Sequence, residues 1–108
     1  MSEKEKMLDG HLYQPYSSEL YKDREFCQGM LYEYNRLSPL HRDERDLILK
    51  KLLKCKGELC IEQPFHCSYG YNIEIGLNFY SDINLTILDK AKVSIGDNVI
   101  LGPNVQIY

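Results

Sequence analysis

Ile75-Gly76-Leu77-Asn78-Phe79, Ile95-Gly96-Asp97-Asn98-Val99 and Leu101-Gly102-Pro103-Asn104-Val105 are three versions of one pattern, aliphatic-Gly-x-Asn-apolar. The second and third start six residues apart, the first and second twenty apart, which is three sixes plus two. A period of six is neither helical nor a plain strand alternation. It marks a β-solenoid in which each face is a short strand of one hexapeptide. The recurring aliphatic residue points inward from a face. The glycine fits the corner that follows, where a side chain would crowd the turn. The asparagine tolerates left-handed backbone and bonds its own neighbours. Phe79, Val99 and Val105 then point inward again. Three copies with Gly and Asn at fixed offsets favour this reading over antiparallel strands joined by Gly-Asn turns.

The pattern extends upstream. Leu59 and Ile61 alternate with Glu58, Cys60 and Glu62, a half-buried strand. Pro64 breaks the run, Phe65 to Tyr69 reads as a further strand, and Gly70 turns it. Ile73 and Ile75 lead into the first copy, and Ile83, Leu85 and Ile87 alternate beyond it. The polar excursion Asp89-Lys90-Ala91-Lys92 is expected to absorb the two extra residues as a bulge or widened corner. Val93, Ile95, Leu101 and Ile107 complete the inward set.

The first part of the chain is helical in pattern. Ser2 with Glu5 forms a capping box for a helix ending near Asp9, with Gly10 as its stop. Pro15 keeps His11 to Tyr16 as a connector. Ser17 or Ser18 caps a second helix to about Arg36, with Leu20, Cys27, Leu31 and Tyr34 on one face. Ser38-Pro39 starts a third, expected over about Pro39 to Lys54 and stopped by Gly57. Its buried side is Ile48, Leu49, Leu52 and Leu53, and its charges run acidic to basic as the helix dipole prefers. The expectation is an α+β chain: a helical segment over 1–57, then the start of a repeat solenoid over 58–108, with no linker between them.

Composition narrows the function classes. The 108 residues are 44% hydrophobic and 27% charged, those of an ordered globular chain. Residues 1–57 carry 11 of the 13 Lys/Arg and 10 of the 16 Asp/Glu; residues 58–108 carry Lys90 and Lys92 against six acids. No basic stripe exists to neutralise a phosphate backbone, so nucleic acid is not an expected partner. No apolar run reaches membrane-span length, and the N-terminus leads into no apolar signal region, so the default expectation is cytoplasmic. Cys27, Cys55, Cys60 and Cys67 are then expected as reduced thiols. Cys55, Cys60, His66 and Cys67 contain no C-x-x-C pair, and no metal site is expected. A three-sided coil needs about eighteen residues. The last coil therefore presents Val99, Leu101, Val105 and Ile107 in cross-section, an end expected to be covered by a second copy or poorly ordered.

The helical lead, Ile61-Glu62-Gln63-Pro64-Phe65-His66-Cys67-Ser68-Tyr69-Gly70-Tyr71-Asn72-Ile73, Gly76-Leu77-Asn78-Phe79-Tyr80 and Ile95-Gly96-Asp97-Asn98-Val99 together resemble the maltose and galactoside O-acetyltransferase family of hexapeptide-repeat acyltransferases. The resemblance covers nearly all of the chain and about the first half of a typical member. It implies a left-handed parallel β-helix assembled as a homotrimer, and acetyl-CoA as co-substrate for acetylation of a sugar hydroxyl. It also implies a histidine general base, donors for the oxyanion, and a site between neighbouring subunits.

The family's histidine lies beyond the position matching Tyr108. None of His11, His41 or His66 matches it, so no catalytic residue is expected in this chain. The segments that bind the coenzyme also come later in the family. Two acceptor-side positions carry over as substrate-binding: Ser68, matching a sugar-contacting serine, and Asp82, standing where the family commonly has an active-site asparagine. Lys90 and Pro15 stand where some members carry acids. Three functional readings follow. The chain is the N-terminal part of a sugar O-acetyltransferase, inactive by itself; or a non-catalytic trimerisation or binding module derived from that family; or part of an acyltransferase for another small hydroxyl acceptor.

Overall fold

The computed structural model describes all of residues 1–108. Three helices lead the chain: α1 (Glu3–Leu8), α2 (Ser18–Arg36) and α3 (Arg42–Leu52). The Ser2–Glu5 capping box forms as expected. Ser17 caps α2, its hydroxyl accepting the Leu20 N–H at 3.4 Å. The third helix starts later than the Ser-Pro signal suggests. Ser38 spends its hydroxyl on the Leu40 N–H at 3.2 Å, in a turn, and His41 takes the N-cap position without a side-chain cap bond. α3 also ends at Leu52, five residues short of Gly57, because Lys54 and Cys55 are already strand β1.

Eight further strands follow: β2 (Leu59–Ile61), β3 (Phe65–Cys67), β4 (Ile73–Ile75), β5 (Phe79–Ser81), β6 (Leu85–Ile87), β7 (Val93–Ile95), β8 (Ile100–Leu101) and β9 (Gln106–Ile107). They form three parallel sheets, β1-β4-β7, β2-β5-β8 and β3-β6-β9, called faces A, B and C. Every register pair is twenty residues apart: Leu59 with Phe79, Phe65 with Leu85, Ile73 with Val93, Tyr80 with Ile100. This is a parallel β-helix of three coils, and the six-residue period is its side length. The two extra residues per coil fall at the corner between faces C and A. The Asp89–Lys92 excursion sits there as expected, and Ser68–Asn72 is its counterpart in the first coil.

The asparagines behave as their residue type dictates. Asn78, Asn84, Asn98 and Asn104 all have φ between 56° and 64°. They also stack into ladders, Asn78 Nδ2 donating to Asn98 Oδ1 and Asn84 Nδ2 to Asn104 Oδ1, each at 3.0 Å. The glycines are less uniform than the repeat suggests. A Cβ on Gly76 would lie 2.7 Å from the Gly96 carbonyl carbon and would strike the Asp97 carboxylate, which holds the Leu77 N–H at 2.7 Å. A Cβ on Gly96 or Gly102 meets nothing within 4 Å. Gly76→Ala is therefore expected to cost about 2 kcal/mol, read from urea unfolding midpoints. Gly96→Ala and Gly102→Ala should stay within about 0.5 kcal/mol. Equal losses at all three would contradict crowding by the stacked coil.

The core lies where the helices close the first coil. Cys27, Leu31 and Tyr34 of α2 and Leu49, Leu52 and Leu53 pack on Ile61, Phe65, Ile73, Phe79, Leu85 and Ile87. Val93, Ile95, Val99, Leu101, Val105 and Ile107 are only partly buried against this cluster. Polar side chains from the helices satisfy the first coil's backbone, which has no coil above it. Asn35 accepts from Phe65 N–H at 2.9 Å and donates to Phe65 O at 3.0 Å, imitating a neighbouring strand. In the other direction, Gln63 of the first coil donates to Tyr34 O and Leu37 O at the end of α2. Arg45 donates to Ile61 O and Pro39 O, both at 3.0 Å, and Tyr34 also donates to Ile61 O.

Burial pushes the Tyr34 phenol up to about 12, the hydrogen bond and charge of Arg45 offsetting part of the effect. A phenol raised above its ordinary 10 contributes stability below that pH and loses it as pH rises through the folded value. The Tyr34 Cζ resonance is expected to titrate near 12, with stability falling between pH 10 and 12. A midpoint at the ordinary value would contradict the buried clamp.

All four cysteines are free thiols. Cys27 Sγ on α2 lies 3.5 Å from Cys67 Sγ on β3. The hydrogen bond with Cys27 and burial push the Cys67 thiol well up, which keeps Cys67 protonated. Cys55, Cys60 and Cys67 belong to faces A, B and C in turn, so these residues and His66 do not converge on a metal.

Candidate functional site

Ser68 opens the first widened corner, directly after β3. The backbone there is drawn around one carboxylate. Asp89, from the equivalent corner of the second coil, is fully buried. Its Oδ1 accepts from Ser68 N–H at 3.0 Å and Tyr69 N–H at 2.8 Å; its Oδ2 accepts from Gly70 N–H at 2.7 Å and Asn72 N–H at 3.4 Å. Asn72 returns the contact, its Nδ2 donating to Asp89 O at 2.8 Å. Burial pushes the Asp89 carboxyl up, and the amide donors pull against that shift. Gly70, at φ 89°, supplies the left-handed turn this ring of amides needs.

The same corner is fastened to the helices. Arg24 Nη1 donates to the Tyr69 hydroxyl at 3.0 Å, and the Tyr71 hydroxyl donates to Asp23 Oδ2 at 2.8 Å. The two tyrosine rings stack with centroids 5.5 Å apart, and the Lys4 ammonium lies 4.0 Å above Tyr71. Burial, then Asp23, pushes the Tyr71 phenol up. Half-buried Ser68 is thus presented by backbone locked from two sides, by Asp89 below and α2 alongside.

Asp82 occupies a different corner, between faces B and C in the second coil. Its N–H donates to Leu101 O at 3.0 Å, and its Oδ1 accepts from Ile83 N–H at 2.8 Å. One carboxylate oxygen therefore braces its own turn. Since Ile61 pairs with Ser81, Asp82 stacks over Glu62, six residues before Ser68. At about 3.3 Å per strand residue the two candidates stand about 15–20 Å apart, at opposite ends of face C. A single chain does not bring them together.

The remaining positions are surface features. Pro15 and Lys90 are exposed. So are His11 in the connector, His41 at the start of α3, and His66 on the outer side of β3. A cleft of about 580 Å³ lies between α3 and face B, lined by Arg42, Arg45, Glu58, Cys60 and Glu62, away from Ser68. The sequence assigns Asp89 only to a polar excursion that widens a corner, and its role there is not part of that expectation. The signal was available: an acid at the start of a segment that breaks the six-residue count.

Comparison with known proteins places this arrangement. Residues 6–57 match the maltose acetyltransferase hexapeptide capping motif, the helices that close the first coil. Nodulation protein L of Rhizobium meliloti is 41% identical over 108 residues, 99% of this chain and 59% of that protein. The crystal structure of a maltose O-acetyltransferase from Clostridium difficile superposes on the whole chain with TM-score 0.98 at 42% identity, over 58% of its own length. A galactoside acetyltransferase in complex with coenzyme A superposes on 98% of the chain with TM-score 0.92 at 36% identity, over 54% of its length. The chain spans a little over half the length of these relatives. From capping helices to third coil, the 108 residues are therefore similar to the N-terminal part of maltose and galactoside O-acetyltransferases.

Proposed function

We propose that this chain forms the acceptor side of an acetyl-CoA-dependent O-acetyltransferase acting on a sugar hydroxyl. The observation that carries the reading is superposition of the whole chain, without a missing element, on a maltose O-acetyltransferase. The structure of the galactoside enzyme with coenzyme A supports the co-substrate. In this reading the coils are left-handed and the protein is cytoplasmic.

Ser68 and Asp82 act on one acceptor only if they come from two copies. The corner bearing Ser68 on one copy faces the corner bearing Asp82 on its neighbour, as a closed ring of three allows. Ser68 orients the sugar. Asp82 supplies acceptor oxygens and a negative charge, and it offers none of the N–H donors an amide would bring to an oxyanion. Coenzyme A would be held outside these residues, since the second half of the chain offers only Lys90 and Lys92 as cations. When bound it supplies the acetyl thioester.

Residues 1–108 by themselves are expected to be catalytically silent, because exposed His11, His41 and His66 lie in the connector, at the α3 start and on outer face C, and Asp82 is braced in its own turn. The test is incubation of the chain with acetyl-CoA and maltose, with product followed by mass spectrometry, alongside light scattering. No acetylmaltose and a mass three times the 12.7 kDa chain are expected. Acetylmaltose above the enzyme-free control would overturn the silence, and a strict monomer would overturn the shared site.

A further inference from the structure

Asp89 is a buried carboxylate that the proposed chemistry does not use, and it has no cationic partner. Each of its oxygens instead holds two backbone amides of the Ser68–Asn72 corner, at 2.7–3.4 Å. Carboxylates buried without a cation are rare unless such donors surround them. The ring of contacts has a mechanical consequence. Ser68 N–H is shared between Asp89 Oδ1 and Ile87 O, so the φ and ψ that aim the Ser68 side chain depend on the second coil rather than on the first. The helices close the same loop from the other side, through Arg24 on Tyr69 and Asp23 on Tyr71.

We propose that Asp89 is a positioning residue for the acceptor site, its carboxylate fixing the corner that presents Ser68. The proposal rests on the acceptor reading above, because a fixed Ser68 matters only if Ser68 meets a ligand. Asparagine at 89 has one acceptor oxygen where the corner has four donors. Its NH₂ group would face two of those amides, so the corner loses its lock while the side-chain volume is kept. Glutamate keeps both oxygens but moves them outward by one methylene.

The test uses the 108-residue chain, ¹⁵N-labelled, with maltose and methyl β-galactoside as probes. In the parent protein the amides of Ser68, Tyr69 and Gly70 are expected downfield, as carboxylate-bound N–H groups, and the sugar should shift them. Asp89→Asn should move these resonances upfield and weaken sugar binding by about tenfold or more. Amides of β4, β5 and β6 should keep their positions. Ser68→Ala should lose binding with the downfield amides in place, which separates contact from positioning. Asp89→Glu should recover part of the affinity, and it is the deciding variant if Asp89→Asn gives no dispersed spectrum. Sugar affinity within about twofold of the parent in a folded Asp89→Asn, or in Asp89→Glu when that variant decides, would overturn the proposal. A parent that keeps its downfield amides but ignores both sugars would instead overturn the acceptor reading, leaving Asp89 as an anchor of the fold alone.

Discussion

Phe65→Ala is expected to unfold the chain under conditions where the parent is folded. Phe65 is fully buried at the head of face C, beneath α2. Its N–H and C=O are both held by Asn35, and its neighbour in the next coil is Leu85, also fully buried. Truncation removes a large apolar side chain and leaves a cavity that the rigid corner and the Asn35 clamp keep from collapsing. Such changes cost about 3–5 kcal/mol, against a total stability of about 5–15 kcal/mol. Thermal melting followed by circular dichroism should show a midpoint lower by about 15 °C or more. Ile107→Ala is the matched control at the other end of the prism, where the same kind of truncation removes a partly buried side chain. It should cost about 1 kcal/mol. A larger loss at Ile107 than at Phe65 would mean that the helices do not organise the core.

Gly70→Ala should have the second largest effect, for two separable reasons. At φ 89° any side chain is strained, by about 1–2 kcal/mol. A Cβ would also lie 2.6 Å from Leu52 Cγ and Cδ1 and 2.8 Å from Leu52 O, at the end of α3. The leucine side chain can give way, but its backbone carbonyl cannot without shifting the helix end. The total is expected near about 3–4 kcal/mol. Gly10→Ala isolates the strain, since its φ is 77° and a Cβ there meets nothing within 4 Å. Urea midpoints for the two variants should differ by the clash, about 2 kcal/mol. Equal losses would contradict the close approach of the Ser68–Asn72 corner to α3.

How much of this was legible depends on which interaction fixes each element. The prism was legible because inward Ile, Leu, Val and Phe must recur at the side length, and because the corner asparagines need positive φ. The inner face of α2, Leu20, Cys27, Leu31 and Tyr34, followed from helical period alone. The residues that join helices to coils were not legible. Arg45 and Asn35 look like surface residues of amphipathic helices, yet each completes backbone that has no strand above it. Strand β1 was hidden because Lys54 and Cys55 extend a helical pattern, and only their pairing with β4 pulls them out of it. The start of the first widened corner was not legible because Tyr69 continues the alternation of Phe65 and Cys67, whereas β3 ends at Cys67. Asp89, which shapes that corner, lies twenty residues downstream.

The central claim is that residues twenty apart are strand neighbours on all three faces. Nuclear Overhauser contacts between backbone protons of adjacent strands test it directly. The account predicts contacts linking Glu74 with Ser94, Tyr80 with Ile100 and Thr86 with Gln106, all parallel. Contacts pairing Ile73–Ile75 antiparallel with Phe79–Ser81 across Asn78 would contradict it, and with it the site built on its corners.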